Sequence, residues 1–247
     1  MVDDHDALSR DPASPLPRRR RATLFDALLP PAASCFEWRE GEPVEALLAE
    51  ELPHAAGAAA ARALEIACGR HCARQALLGA GFDAAPVRRG ARREPLFPPG
   101  SVGSITHTQG YCAAVVAAAT ACSAIGIDAE PNAALAPRVL ERITTEAERR
   151  LLAGLGSALA GVHAGRLLFA IKESVYKAWY PASGVALGFR DVEVHIDAAS
   201  GAFAVEFRAG VVTAGAPALH QCRGRWACAD GMLLALAAVM PAAQRSP

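Results

Sequence analysis

Three carboxylates and two lysines sit in two short stretches of this chain. Asp128 and Glu130 lie in Gly126-Ile-Asp-Ala-Glu130, and Lys172, Glu173 and Lys177 lie in Phe169-Ala-Ile-Lys-Glu-Ser-Val-Tyr-Lys-Ala178. Together they can hold a divalent cation and a polyphosphate. On a strand, residues two apart point to the same face, so Asp128 and Glu130 are neighbours. Their mutual repulsion is removed by a divalent cation. Glu173 supplies a third oxygen ligand and leaves positions for phosphate and water, the way Mg²⁺ usually binds. Lys172 and Lys177 are about 140° apart around a helix and can flank a bound polyphosphate. His107, after Gly103-Ser104, can donate to a phosphate. Plainer readings remain open. The acids can be a solvated strand end, and Glu173 and Lys177 a surface i,i+4 pair, which leaves Lys172 unexplained. His107 can be a structural histidine with a hydrogen-bonded ring.

The elements that must position these groups are legible. Ile125–Glu130 reads as a strand stopped by Pro131, with Ile125, Ile127 and Ala129 turned to a core and Gly126 leaving the acidic face open to close approach. Arg166–Tyr180 reads as an amphipathic helix with Leu167, Leu168, Ile171, Val175, Ala178 and Trp179 as its apolar stripe, ended by Pro181. Thr145-Glu-Ala-Glu148 is a capping box that starts a helix near Glu146 and carries it to about Gly154, and a Gly/Ala-rich break follows to Gly165. Upstream, Glu42–Leu52 and Ala58–Leu78 read as helices, the second stopped by Gly79-Ala80-Gly81. Arg62 and Arg70 share a side of that helix. Arg70 and Arg74 stack as like charges, an arrangement mildly unfavourable without an anion.

The Pro86–Pro99 stretch is loop or short extended segments. Val102–His107 leads into an apolar strand, Ala113–Ala119. Phe189–Ile196 and Ala202–Arg208 flank a hairpin loop. Gly224–Ala229 and Met232–Val239 flank Asp230-Gly231, a type I′ turn signal. The pattern is α+β, with strands and helices in each of two halves, residues 23–123 and 124–247.

Composition excludes several classes. The chain has 247 residues, is 52% hydrophobic and carries 25 basic and 25 acidic side chains. Zero net charge argues against nucleic acid as a partner, so an anion site must be local. Seven cysteines without a CxxC pair suit reduced thiols in a cytoplasm rather than a zinc site or disulfides. The longest charge-free run, Gln109–Ile127, is Ala-rich and broken by Gly110, so no membrane span is expected. Residues 1–22 are expected to be disordered, with Arg18-Arg19-Arg20-Arg21 free to meet solvent or an acidic partner. A short polar tail begins at Ala242.

The residues resemble the 4′-phosphopantetheinyl transferase family, in the branch of the enterobactin synthetase component and surfactin-type activating enzymes. The resemblance rests on Arg70-His-Cys-Ala-Arg74-Gln-Ala-Leu, Arg93-Glu-Pro-Leu-Phe-Pro98, Gly103-Ser-Ile-Thr-His107, Gly126-Ile-Asp-Ala-Glu-Pro131 and Phe169-Ala-Ile-Lys-Glu-Ser-Val-Tyr-Lys-Ala-Trp-Tyr-Pro181, in the family's order and spacing from about residue 45 to 240. It implies two pseudo-symmetric α+β subdomains with coenzyme A in the cleft between them. It implies Asp128, Glu130 and Glu173 as Mg²⁺ ligands, and Lys172 and Lys177 as pyrophosphate contacts. His107 would touch the phosphates of coenzyme A, and Arg62, Arg70 and Arg89 would grip its 3′-phosphate and adenine side. The implied reaction carries the phosphopantetheine arm to a serine of an apo acyl, peptidyl or polyketide carrier protein and releases 3′,5′-ADP. Glu173, or a metal-bound water held by it, is the candidate base, and the family leans to monomers. A Mg²⁺-dependent phosphohydrolase and a non-catalytic coenzyme A- or carrier-binding module are the alternatives.

Overall fold

The computed structural model describes residues 21–208, 211, 219 and 221–241. The expectations for most of the 1–22 segment, for Arg18–Arg20 and for the tail from Ala242 fall outside the described residues. In chain order the elements are β1 (Ala33–Arg39), α1 (Ala60–Gly79), β2 (Arg88–Arg89), β3 (Pro95–Leu96), β4 (Ser101–Thr108), β5 (Tyr111–Ala118), β6 (Ala124–Pro131), α2 (Pro137–Ile143), α3 (Glu146–Gly154), α4 (Ala164–Ser183), β7 (Val192–Asp197), β8 (Ala202–Phe207), β9 (Arg223–Ala229) and β10 (Met232–Val239).

Two antiparallel sheets form the frame. The first has the order β1-β5-β4 and the second β6-β10-β9-β8-β7. Strand β5 is apolar on both faces because both are buried. Cys112, Ala114 and Val116 pack with Cys72, Ala76 and Leu77 of α1. Ala113, Val115 and Ala117 pack with Ile125, Ile127, Leu234 and Leu236 of the second sheet. The far face of that sheet, with Leu233, Ala235 and Ala237, carries Leu167, Leu168, Ile171 and Val175 of α4. Each sheet thus backs one long helix, and the architecture is α+β, as the pattern predicts.

The sheets are joined where β4 meets β6. Ile127 N donates to Ser104 Oγ (3.0 Å), Ala129 N to Thr106 Oγ1 (3.1 Å), and Thr106 Oγ1 to Asp128 Oδ1 (3.1 Å). Two buried hydroxyls stand in for ladder bonds and set the height of Asp128.

Several elements differ from the sequence reading. Residues 42–51 are not a helix. Only a 3₁₀ turn forms at Leu52–His54, because Glu51 is fully buried and accepts Arg74 Nη1 (2.5 Å), Val87 N (2.9 Å) and Leu48 N (3.0 Å). Those tertiary bonds override helix propensity. Helix α4 runs two residues past Pro181 and stops at Gly184, whose φ of 69° supplies the left-handed cap. Pro181 lies in the last turn, where the bond that its missing N–H forfeits, and any kink it causes, disturb only the end of the helix. Phe189–Asp191 is a 3₁₀ turn, with Gly188 N donating to Asp191 Oδ2 (2.7 Å), and strand β7 starts only at Val192. Strand β1 and helix α2 are additions to the sequence reading. The capping box forms as read, with Glu148 N donating to Thr145 Oγ1 and Thr145 N to Glu148 Oε2. Asp230 and Gly231 both have positive φ (49° and 72°), as a type I′ turn requires. No helix among the described residues is long and apolar enough to cross a membrane.

Gly126 admits a close approach, but by α4 rather than by a ligand. A Cβ there would stand 2.0 Å from Ser174 O and 2.6 Å from Ala178 N, both backbone atoms. Gly126→Ala is therefore expected to destabilise the fold by about 3 kcal/mol, since overpacking against backbone cannot relax by rotamer change. Urea unfolding reads this directly, and an unchanged midpoint would contradict the packing described.

Candidate active site

A cleft of about 240 Å³ opens where α1, β4, the β2–β3 loop and α4 converge. Helix α1 contributes Arg62, Glu65, Ile66, Gly69 and Arg70. Strand β4 contributes Ser104, Ile105 and His107. The β2–β3 hairpin contributes Arg89, Arg92, Arg93, Glu94 and Pro95, and α4 contributes Glu173, Tyr176, Lys177, Tyr180 and Pro181. Six cationic side chains face three carboxylates in a chain of zero net charge. The cleft is therefore a local concentration of positive charge in a chain that has no net charge, a setting suited to an anion.

Arg70 is its most constrained cation. It is 8% exposed and its Nε has no hydrogen-bond partner. Burial lowers its pKa, and Arg89 and Arg62 add repulsion against the pull of Glu51. A buried, unsatisfied guanidinium donor among like charges is stabilised by an anion that accepts from it. Arg74, the stacked neighbour, is not part of this site, because Glu51 and Glu45 pair with it.

His107 Nε2 lies 3.1 Å from Arg62 Nη1. Arginine can only donate, so Nε2 accepts and the ring proton resides on Nδ1. Burial, Arg62 and Lys177 lower the His107 pKa, with Glu65 and Asp128 opposing. The ring is neutral at pH 7 and has one N–H to offer.

The acidic strand meets the cleft through Lys177. Lys177 Nζ donates to Asp128 Oδ1 (2.7 Å) and Ile127 O (3.2 Å), so the i,i+4 surface pair of Glu173 with Lys177 is not formed. Asp128 is 5% exposed and its Oδ2 is buried without a donor. Burial raises the Glu173 pKa, the charges of Asp128 and Glu130 raise it further, and Lys177 opposes them. Glu130 is pushed up by burial and by Asp128, while Arg166 Nη1 donates to its Oε2 at 2.8 Å. An orphaned buried carboxylate oxygen beside a desolvated second carboxylate is an all-oxygen donor set that fits a hard divalent cation such as Mg²⁺. Among the described residues no three His, Cys, Asp or Glu side chains are arranged to hold a metal ion. Glu130 is engaged by Arg166.

Lys172 is a correction to the sequence reading. It does not flank the cleft. Its ammonium is buried (1% exposed) on the other side of α4 and donates to Phe189 O (2.6 Å), Glu148 Oε2 (2.7 Å), Ile143 O (2.7 Å) and Val192 O (3.2 Å). The reason is helical phase: 140° from Lys177, it points into the junction of α3, α4 and β7. Burial lowers its pKa against the opposing pull of Glu148.

The structure therefore brings Arg62, Arg70, Arg89, His107, Glu173 and Lys177 into one cleft, with Asp128 tied to it through Lys177, while Glu130 and its partner Arg166 stand outside the lining. The sequence reading missed His54, Arg92, Arg93, Tyr176, Tyr180 and Arg166. His54 Nε2 is buried and unpartnered near Arg70 and Arg89, which lower its pKa after burial itself. Tyr176 and Tyr180 stack at 5.9 Å, with Arg92 5.7 Å over Tyr180. A signal for Arg166 was available. It precedes Glu173 by seven residues and Lys177 by eleven, which places all three on one face of a 3.6-residue helix.

The model of the 4′-phosphopantetheinyl transferase N-terminal domain matches residues 50–117, and that of the 4′-phosphopantetheinyl transferase superfamily matches residues 124–229. The chain is 41% identical to 4′-phosphopantetheinyl transferase Svp of Streptomyces mobaraensis over 223 residues, 89% of this chain and 91% of that one. It is 39% identical to 4′-phosphopantetheinyl transferase PptT of Mycobacterium tuberculosis over 192 residues, 76% of this chain and 83% of that one. It is 36% identical to enterobactin synthase component D of Escherichia coli O157:H7 over 132 residues, 51% of this chain and 61% of that one.

Proposed function

Because the chain belongs to the 4′-phosphopantetheinyl transferase superfamily, we propose that it carries the phosphopantetheine arm of coenzyme A to a serine of an apo acyl or peptidyl carrier protein, with Mg²⁺, and releases 3′,5′-ADP. The observation that carries this is the junction of a six-cation cleft with an acidic strand through Lys177 and Glu173. It amounts to a holo-[acyl-carrier-protein] synthase type of activity, built by two subdomains, residues 23–123 and 124–247. Arg62, Arg70 and Arg89 bind the 3′-phosphate side of coenzyme A. His107 donates its Nδ1–H to a phosphate, and Lys177 exchanges Asp128 for pyrophosphate oxygens. Asp128 and Glu173, joined by Glu130 once it leaves Arg166, would hold Mg²⁺, which would supply positive charge beside the pyrophosphate.

The serine hydroxyl attacks the β-phosphorus, and a new O–P bond forms as the bond to 3′,5′-ADP breaks. Glu173, whose pKa is raised by burial, takes the serine proton. Lys177 follows the charge onto the leaving oxygen. Lys172 takes no part and holds the helix that carries both groups.

The test is intact mass of an apo carrier protein incubated with this chain, coenzyme A and Mg²⁺, with an EDTA control. A gain of one phosphopantetheine arm that EDTA abolishes is the expected result. Coenzyme A consumed without a gain would replace this reading with the phosphohydrolase. Coenzyme A bound and unconsumed would replace it with the binding module. Arg70→Met is expected to raise the KM for coenzyme A about tenfold or more, the usual worth of a lost charge-assisted bond. An unchanged KM would remove Arg70 from the binding set.

A further inference from the structure

Arg166 belongs to no motif named above, yet from the first turn of α4 it reaches the acidic strand. Its Nη1 donates to Glu130 Oε2 at 2.8 Å, and both side chains are about four-fifths buried. Its other two nitrogens are anchored on the loop after β6, Nη2 donating to Ala134 O (3.1 Å) and Nε to Ala133 O (3.3 Å). The guanidinium is thus held by three acceptors at a fixed place, which separates it from a flexible surface pair of little worth. Lys177 grips Asp128 in the same manner, so two fixed cations face the two carboxylates of one strand. The two differ in what else they can reach. Lys177 lines the cleft and can pass to a phosphate, whereas Arg166 does not line it.

We propose that Arg166 is a positioning residue that competes with the divalent cation for Glu130 and so sets how tightly the metal is held. This rests on the metal reading given under Proposed function. While Arg166 keeps Glu130, a cation finds Asp128 Oδ2 and Glu173. Full engagement of Glu130 requires that its bond to Arg166 be given up, while the two loop carbonyls keep the guanidinium in reach to take Glu130 back. The loop anchors make the competition reversible and local. They also mean that the metal is bound more weakly than three free carboxylates would bind it.

The experiment measures Mn²⁺ binding to the full chain by the loss of the free-ion electron paramagnetic resonance signal, without coenzyme A or carrier. Arg166→Gln keeps a side chain able to bond the loop carbonyls and frees Glu130. It is expected to tighten Mn²⁺ binding roughly tenfold. Glu130→Gln is expected to cost little in the wild-type background and much more in the Arg166→Gln background, so the double-mutant cycle shows coupling between the two positions. Thermal melts confirm that each variant is folded. Tightening that persists in the double variant, or affinity indifferent to or weakened by Arg166→Gln, overturns the proposal. If binding depends on Glu173 while ignoring Arg166, only this inference falls. If Mn²⁺ binds wild type and Glu173→Gln alike, the metal reading falls with it.

Discussion

Glu173→Gln is expected to slow carrier modification by at least about a thousandfold, since it removes the proposed base and a proposed metal ligand at once. The fold should not suffer. Glu173 lines the cleft rather than the hydrophobic core, and no hydrogen-bond donor among the described residues depends on its charge. What it meets instead is the repulsion of Asp128 and Glu130. Neutralising it relieves that repulsion, so the melting temperature is expected to hold or rise slightly, the opposite sign to a damaged core. Intact-mass kinetics together with a thermal melt separate the two effects. Near-normal turnover would remove Glu173 from the chemistry, and a fall in melting temperature would contradict its electrostatic setting.

Lys172→Met is expected to destabilise the fold by about 3–5 kcal/mol, the usual result of removing one partner of a buried ion pair. In a chain of this size that lowers the melting temperature by on the order of 10 °C. The mechanism is specific. Glu148 Oε2 keeps Thr145 N and Oε1 keeps Val194 N, but the compensating ammonium is gone. The carbonyls of Ile143, Phe189 and Val192 lose their donor as well. Lys172→Met combined with Glu148→Gln is expected to recover part of the loss, because the uncompensated charge is removed. A lysine that touched pyrophosphate would behave in reverse, with stability kept and coenzyme A binding weakened. The same two measurements therefore decide which side of α4 this lysine serves.

Much of this protein was legible because it depends on local rules. Alternation placed Asp128 and Glu130 on one face of β6 and Ile125, Ile127 and Ala129 on the other, and the second face packs into a core as read. The capping box of α3 and the Asp230-Gly231 turn are short-range geometry, and both form as their residues dictate. Helical phase put Arg62 and Arg70 on one side of α1, and they line one cleft.

Tertiary structure decided where a local pattern had two physically acceptable partners. A lysine next to Glu173 is equally well satisfied by phosphate or by a buried carboxylate, and only the docking of α3 against α4 brings Glu148 to Lys172. The Glu42–Leu52 segment has fair helix propensity, but burial of Glu51 against Arg74 and Val87 outweighs it. Gly126 signalled a close approach, and the packing of α4 on the second sheet determined that the visitor is a helix backbone. The pairing of Arg166 with Glu130 spans 36 positions and needs β6 and α4 to meet. Residue types and spacing thus singled out the candidate groups. The meeting of distant elements, which no local period encodes, decided which cation each carboxylate holds.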